Sequence, residues 1–160
     1  MLLKESLAVK GSYILLIKLP GEQSITAGSL KAIRFLRGYY AYIGSAMGGF
    51  KARLSHHLKE NKRPRWHIDY LLPMASISSI ILLETNDRVE CTIAQALSRQ
   101  FDSIPGFGSS DCKCKSHLFF ATDERQMKSA IISNINQLGI TPRVTRATLP
   151  FQEGWGEVMK

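Results

Sequence analysis

Residues 11–19, GSYILLIKL, are almost continuously apolar, which predicts a central β-strand. Residues 20–38 are broken by glycines and hold two short β-like pieces, SIT and IRF, so a hairpin at the sheet edge is expected. GYYAYIGSA, 38–46, predicts the next strong strand. Over 48–61, Phe50, Leu54 and Leu58 recur every four residues, the stripe of an amphipathic helix. A helix turns about 100° per residue, so Arg53 and His57 stack on one shoulder of that stripe, beside the core and able to reach outward.

KRPRW, 62–66, is a basic break at a proline, followed by a short helix in HIDYLLPMA and a strand in SISSIILLE, 76–84. Asp87 through Phe101 predicts a helix with Val89, Ile93, Leu97 and Phe101 inward, and Asp87 and Glu90 have capping-box spacing. Residues 102–116 are dense in Gly, Ser and Pro and predict a loop. HLFFA, 117–121, predicts a short strand, and 123–139 a helix that stops at Gly139. From Ile140 onward two prolines predict an irregular tail. The order of elements describes one α+β domain over 1–160: a small central, mostly antiparallel sheet flanked by helices. Its core spans about 10–122, with a C-terminal helix and tail over 123–160.

Composition adds a direction. At 160 residues the chain suits one core, and 44% hydrophobic with 21% charged residues is an ordinary globular balance. The net charge of +8 and the pI near 9.6 favour polyanionic partners, nucleic acid first. No apolar run reaches the roughly 18 residues of a membrane span, and MLLKESLAVK has no signal-peptide stretch. Three cysteines leave one over from any pairing, which argues for a reducing compartment and a cytoplasmic protein.

The stretch 39–57, YYAYIGSAMGGFKARLSHH, gathers tyrosine, a glycine turn, arginine and histidine, a combination that suits phosphate handling better than core packing. GSY at 11–13 and YIG at 42–44 resemble the two signature tripeptides of the GIY-YIG nuclease superfamily. Arg53 and His57 resemble its helical arginine and second basic or aromatic residue, and Glu90 its metal-binding glutamate. More closely, YYAYIGSAMGG, RPRWHIDYLL, EC at 90–91 and PGFGSSDCKCKSHLFF resemble an uncharacterised, largely archaeal branch related to that superfamily, over roughly residues 10–122.

The resemblance implies a GIY-YIG-like fold and a metal-dependent endonuclease acting on DNA or structured nucleic acid. Phosphodiester hydrolysis needs a metal, an activated water and a cation against the developing charge. By the resemblance, Glu90 holds Mg²⁺ or Mn²⁺, Tyr13 or Tyr42 activates water, Arg53 stabilises the phosphate and His57 assists. Gly44 lets the backbone turn beneath the phosphate. Convergence of Tyr13, Tyr42, Arg53, His57 and Glu90 on one cleft is the expectation. Three features depart from the pattern. Ser12 replaces the middle isoleucine, the gap between the tripeptides is long enough to hold an inserted hairpin, and no asparagine counterpart follows the glutamate.

Each residue also has a plainer reading. The tyrosines are ordinary strand aromatics, Arg53 and His57 a solvated helix face, and Glu90 the partner of Asp87 in a capping box. Lys51, Arg63, Arg65, Trp66 and His67 form a basic and aromatic set able to bind a nucleic-acid backbone and stack on a base, or Trp66 caps the core. Asp69 orients His67 or Arg65, or is an ordinary helix acid. Cys112, Cys114 and His117 follow C-x-C-x-x-H, and Cys91 supplies a possible fourth zinc ligand; small buried thiols and a reactive thiol are the alternatives. PGFGSSD, 105–111, lacks the P-loop lysine pattern and is expected to border the cleft. Two further functions stay open: an accessory nucleic-acid-binding module of the same fold, some relatives of which are joined to DNA-repair enzymes, and a zinc-stabilised interaction domain.

Overall fold

The computed structural model describes residues 9–60, 62–110 and 112–147. Residues 1–8, read above for a signal peptide, lie outside them, as do Asn61, Asp111 and the tail beyond 147. In chain order the elements are β1 (Gly11–Leu19), β2 (Gln23–Thr26), β3 (Ala32–Phe35), β4 (Gly38–Ala46), α1 (Phe50–Leu58) and α2 (Ile68–Leu71). A 3₁₀ turn (Leu72–Met74) follows, then β5 (Ser76–Glu84), α3 (Glu90–Ser98), β6 (Asp102–Ser103), β7 (Leu118–Ala121), α4 (Glu124–Gln137) and β8 (Arg143–Thr145).

Every residue of β1 except Lys18 is buried, because layers cover both faces of this strand. It lies between β4 and β5 in a six-stranded sheet ordered β6-β7-β4-β1-β5-β8, with each pairing antiparallel. Alternate side chains of a strand point to opposite faces. Tyr13, Leu15, Ile17, Tyr40, Tyr42, Ile80 and Leu82 fill the front face against Phe50 and Leu54 of α1, Ile68 and Leu71 of α2, and Phe107. Ile14, Leu16, Ala41, Ile43, Ile81 and Leu83 fill the back against Ile93 and Leu97 of α3 and Met127, Ile131 and Ile135 of α4. The result is a three-layer α+β arrangement with α1 and α2 in front and α3 and α4 behind.

Four local expectations are corrected. The β2–β3 hairpin forms its own two-stranded sheet, because Ile25, Ile33 and Phe35 pack onto the front core rather than extending the central sheet. Helix α3 starts at Glu90 with Val89 as its cap residue, and no side chain caps it. Asp87 instead bonds through its backbone N–H to Thr85 Oγ1. Within the expected loop, Asp102–Ser103 pairs with β7. Within the expected irregular tail, Arg143–Thr145 pairs with Ile80–Leu82, and Val144 joins the back core. Helix α4 keeps its predicted ends. Asp123 accepts from the backbone N–H groups of Arg125 and Gln126, and Gly139 follows at φ +78°. Among the described residues no helix is long and apolar enough to cross a membrane.

Candidate functional site

On the front face the Tyr13 hydroxyl lies 2.6 Å from His57 Nε2. Helix α1 presents His57 inward beside Leu54, and both are buried. The other ring nitrogen, Nδ1, lies 3.9 Å from Asp69 Oδ1. Asp69 Oδ2 accepts from the backbone N–H groups of Arg65 (2.8 Å) and Trp66 (3.1 Å) and lies 3.0 Å from His56 Nε2. Burial works to raise the Asp69 pKa, but His57, His56 and the two N–H groups outweigh it and hold the carboxyl well below the usual carboxylate range.

Burial pushes the phenols of Tyr13 and Tyr42 well above the usual tyrosine value, although the nearby Arg53 guanidinium pulls both down. Burial also lowers His57 against the opposing pull of Asp69. The phenols therefore keep their protons and His57 is neutral. Tyr13 donates to Nε2, which leaves the ring proton on Nδ1, facing Asp69.

Gly44 pairs with Tyr13 across β1 and β4. A Cβ at Gly44 would stand 2.4 Å from the Tyr13 ring, so this glycine admits the phenol rather than turning the chain beneath a phosphate. Tyr42 sits beside the same histidine, with ring centroids 6.1 Å apart.

Outside this buried cluster the surface is basic. The Arg53 guanidinium lies 4.3 Å and that of Arg65 4.9 Å from the Trp66 ring centroid. Such contacts hold cations in place at a surface. Lys51 and Arg63 are exposed nearby in the chain. Trp66 thus serves two arginines and packs against the front core, as its core-capping reading expects. His67 does something else. Its Nδ1 accepts from the Gly108 N–H at 2.8 Å and its ring packs on Phe107, so it anchors the loop before β7.

Glu90 does not join the tyrosines. Its carboxylate accepts from Ser12 Oγ at 2.9 Å, and Ser12 and Tyr13 project to opposite faces of β1. Glu90 therefore lies on the back of the sheet, with Arg88 3.9 Å away. Of the five side chains expected in one cleft, four converge and the carboxylate does not.

The back of the sheet holds a second cluster. One ligand atom each from Cys91, Cys112, Cys114 and His117 lie within 4.8 Å of one another. Cys112 Sγ is 3.4 Å and Cys91 Sγ 3.9 Å from His117 Nε2. A tetrahedral ion with thiolate and imidazole ligands spaces its donor atoms about 3.3–3.8 Å apart, so this set can hold a metal ion. Burial, then the adjacent thiols, push the Cys114 thiol up to about 12, an arrangement that a bound cation reverses. All three cysteines are free. Cys91 comes from the first turn of α3. The others come from the β6–β7 loop, which is folded by the Gly106 N–H to Lys115 O (2.7 Å) and His117 N–H to Phe107 O (2.8 Å) bonds.

The model of one family, domain of unknown function DUF123, matches residues 12–140. The chain belongs to the DUF123 family. The match spans both clusters, from Tyr13 through His57 and Asp69 to His117. Comparison with curated proteins and with solved structures found no match.

Two features of the site were not anticipated from sequence. One is Asp69 as the anchor of His56 and His57. The only sequence signal was an aspartate three residues after Trp66, a position from which a carboxylate reaches back to backbone N–H groups at the start of a helix. The other is Ser12, whose departure from the tripeptide pattern supplies the Glu90 contact.

Proposed function

We propose that the protein is a nucleic-acid-binding domain of GIY-YIG-like kind that holds a phosphodiester backbone against α1 and the 63–66 segment. The observation that carries this reading is the buried chain Asp69, His57, Tyr13 beneath Arg53, with Arg53 and Arg65 both held on Trp66. Guanidinium groups fixed in this way meet phosphate oxygens at a low ordering cost. Fluorescence anisotropy with a labelled DNA duplex and single strand tests it. Arg53→Ala and Arg65→Ala are each expected to weaken binding about three- to tenfold at low salt. Unchanged affinity in both variants removes the reading.

One observation favours a second reading, phosphodiester hydrolysis: Tyr13, Tyr42, Arg53 and His57 share one neighbourhood. Hydrolysis would need Mg²⁺ or Mn²⁺, for which Glu90 is the carboxylate that the superfamily resemblance names. The buried, proton-retaining tyrosines and the position of Glu90 weigh toward binding. Nicking of supercoiled plasmid separates the two. Metal-dependent nicking that Glu90→Gln abolishes establishes the hydrolase, and binding without nicking establishes the module. For the thiolate and imidazole cluster we propose Zn²⁺ in a structural role, since four protein donors fill a tetrahedral shell and leave no open position for substrate.

A further inference from the structure

Trp66 is the aromatic residue of the basic 63–66 segment, and its ring is already in use. His56 and His57 of α1 stand against it, with ring centroids 4.8 Å and 5.6 Å away, and it packs on the front core. The guanidinium groups of Arg53 and Arg65 lie over the ring, 4.3 Å and 4.9 Å from its centroid. Its backbone is pinned as well, because the buried Asp69 carboxylate accepts from the N–H groups of Arg65 and Trp66. Swinging the indole outward to meet a base would give up the contacts with both histidines and both arginines.

No other aromatic offers a bare face. Among the described residues every tyrosine, phenylalanine and tryptophan is buried or half-buried, and the exposed large apolar side chains are Leu36, Met74 and Leu138. What the front surface does expose is charge: Lys51 and Lys59 on α1, and Arg63 and Arg65 beyond it. Proteins that hold single strands combine such a cationic surface with aromatic faces, and each stacked base adds about five- to 150-fold in affinity. Without a free face that gain is lost and only the attraction to phosphate remains. A duplex carries its phosphates more densely than a single strand and releases more counterions for each one neutralised.

We propose that the front surface takes a nucleic-acid double helix by its phosphates alone, with Trp66 as a positioning residue that holds Arg53 and Arg65 and stacks on no base. The proposal rests on the nucleic-acid reading and narrows it to the duplex backbone, without base preference. The indole acts through the two guanidinium groups, which it keeps aimed outward at a fixed spacing.

Anisotropy titrations of the full chain at one low salt concentration test it. The probes are a labelled DNA duplex, its two component single strands, and one of those strands with alternate bases removed. The duplex is expected to bind about fivefold or more tightly than either strand. The abasic strand is expected to match its intact counterpart, and a duplex of unrelated sequence to match the first. Trp66→Leu keeps apolar bulk and removes the π face. It is expected to weaken binding of the duplex, the intact strand and the abasic strand alike, by about two- to fivefold, and Trp66→Phe to recover most of that loss. The comparisons among probes use the unaltered chain, so they stand even where a Trp66 variant loses stability. A single strand that binds more tightly than the duplex overturns the proposal while the binding function stands. So does an abasic strand that binds about tenfold more weakly than the intact one, the mark of a stacked base. A Trp66→Leu chain that loses the intact strand and keeps the duplex overturns it too. Absence of binding to every probe removes the binding function itself, and the proposal with it.

Discussion

Tyr13 and His57 are each buried, and each supplies the hydrogen-bond partner that the other needs. Tyr13→Phe keeps the ring and leaves His57 Nε2 without a donor, a cost of about 1–3 kcal/mol that urea denaturation measures. Gly44→Ala attacks the same contact from the neighbouring strand. Its Cβ has no room beside the phenol, and overpacking of about 1–3 kcal/mol is expected, with less of it in the Tyr13→Ala background. The acid side of the stability profile belongs to Asp69 and His57. Both have folded pKa values below their unfolded ones, so the unfolded chain binds more protons and stability rises with pH. The His57 contribution is full above its unfolded pKa of about 6.5 and the Asp69 contribution above about 3.9. Each is lost as pH falls from there toward its folded value. Denaturation midpoints taken from pH 7 down to pH 3 should fall, and Asp69→Asn should flatten the lower part of that fall. At this scale the helical spacing of Arg53 and His57 was readable, because it follows from backbone geometry. The role of Asp69 was not, because its histidine partners lie on a different helix.

Helix α3 begins two residues later than the capping-box spacing suggested, and that shift decides what Glu90 and Cys91 do. Asp87 is taken up in a turn with Thr85, so Glu90 is free to meet Ser12 and Cys91 enters the thiol cluster. The β6–β7 loop carries the other three donors, and its Gly108 N–H binds His67 on the front layer. Zinc should therefore hold this loop. The purified protein is expected to contain about one equivalent by elemental analysis, and chelation is expected to cost about 3 kcal/mol or more, roughly 6–12 °C in thermal midpoint. Cys112→Ser should reproduce that loss without chelator. A metal-free preparation with an unchanged midpoint would remove the zinc assignment. The C-x-C-x-x-H spacing was visible in sequence, whereas the arrival of Cys91 depended on where α3 packs. Strand β8 was hidden for a related reason. Three residues among prolines carry no periodicity, and only the open edge of β5 makes them a strand.

The whole molecule separates its chemistry by face. The basic residues, Trp66 and the buried tyrosine cluster lie in front, and the thiols, His117 and Glu90 lie behind. With a net charge of +8, attraction to a polyanion is long-ranged, and in the proposed binding function the front surface is where it would dock. The logarithm of the DNA affinity is expected to fall linearly with the logarithm of salt concentration. Arg53→Ala and Arg65→Ala should each reduce that slope by about one unit, while Arg143→Ala, on β8, should leave it unchanged. The α+β class, the strands at 11–19, 38–46 and 76–84, the helices near 50–58 and 124–137, and the basic character were determined by the sequence alone. Burial repeats along a strand or helix with the period of its backbone, and charge is a sum over residues. Only the tertiary structure decided that Glu90 lies behind the sheet, that Asp69 anchors His57, and that Cys91 joins a loop more than twenty residues further on. Those outcomes depend on which face each connection crosses to, and one-dimensional periodicity carries no record of that choice.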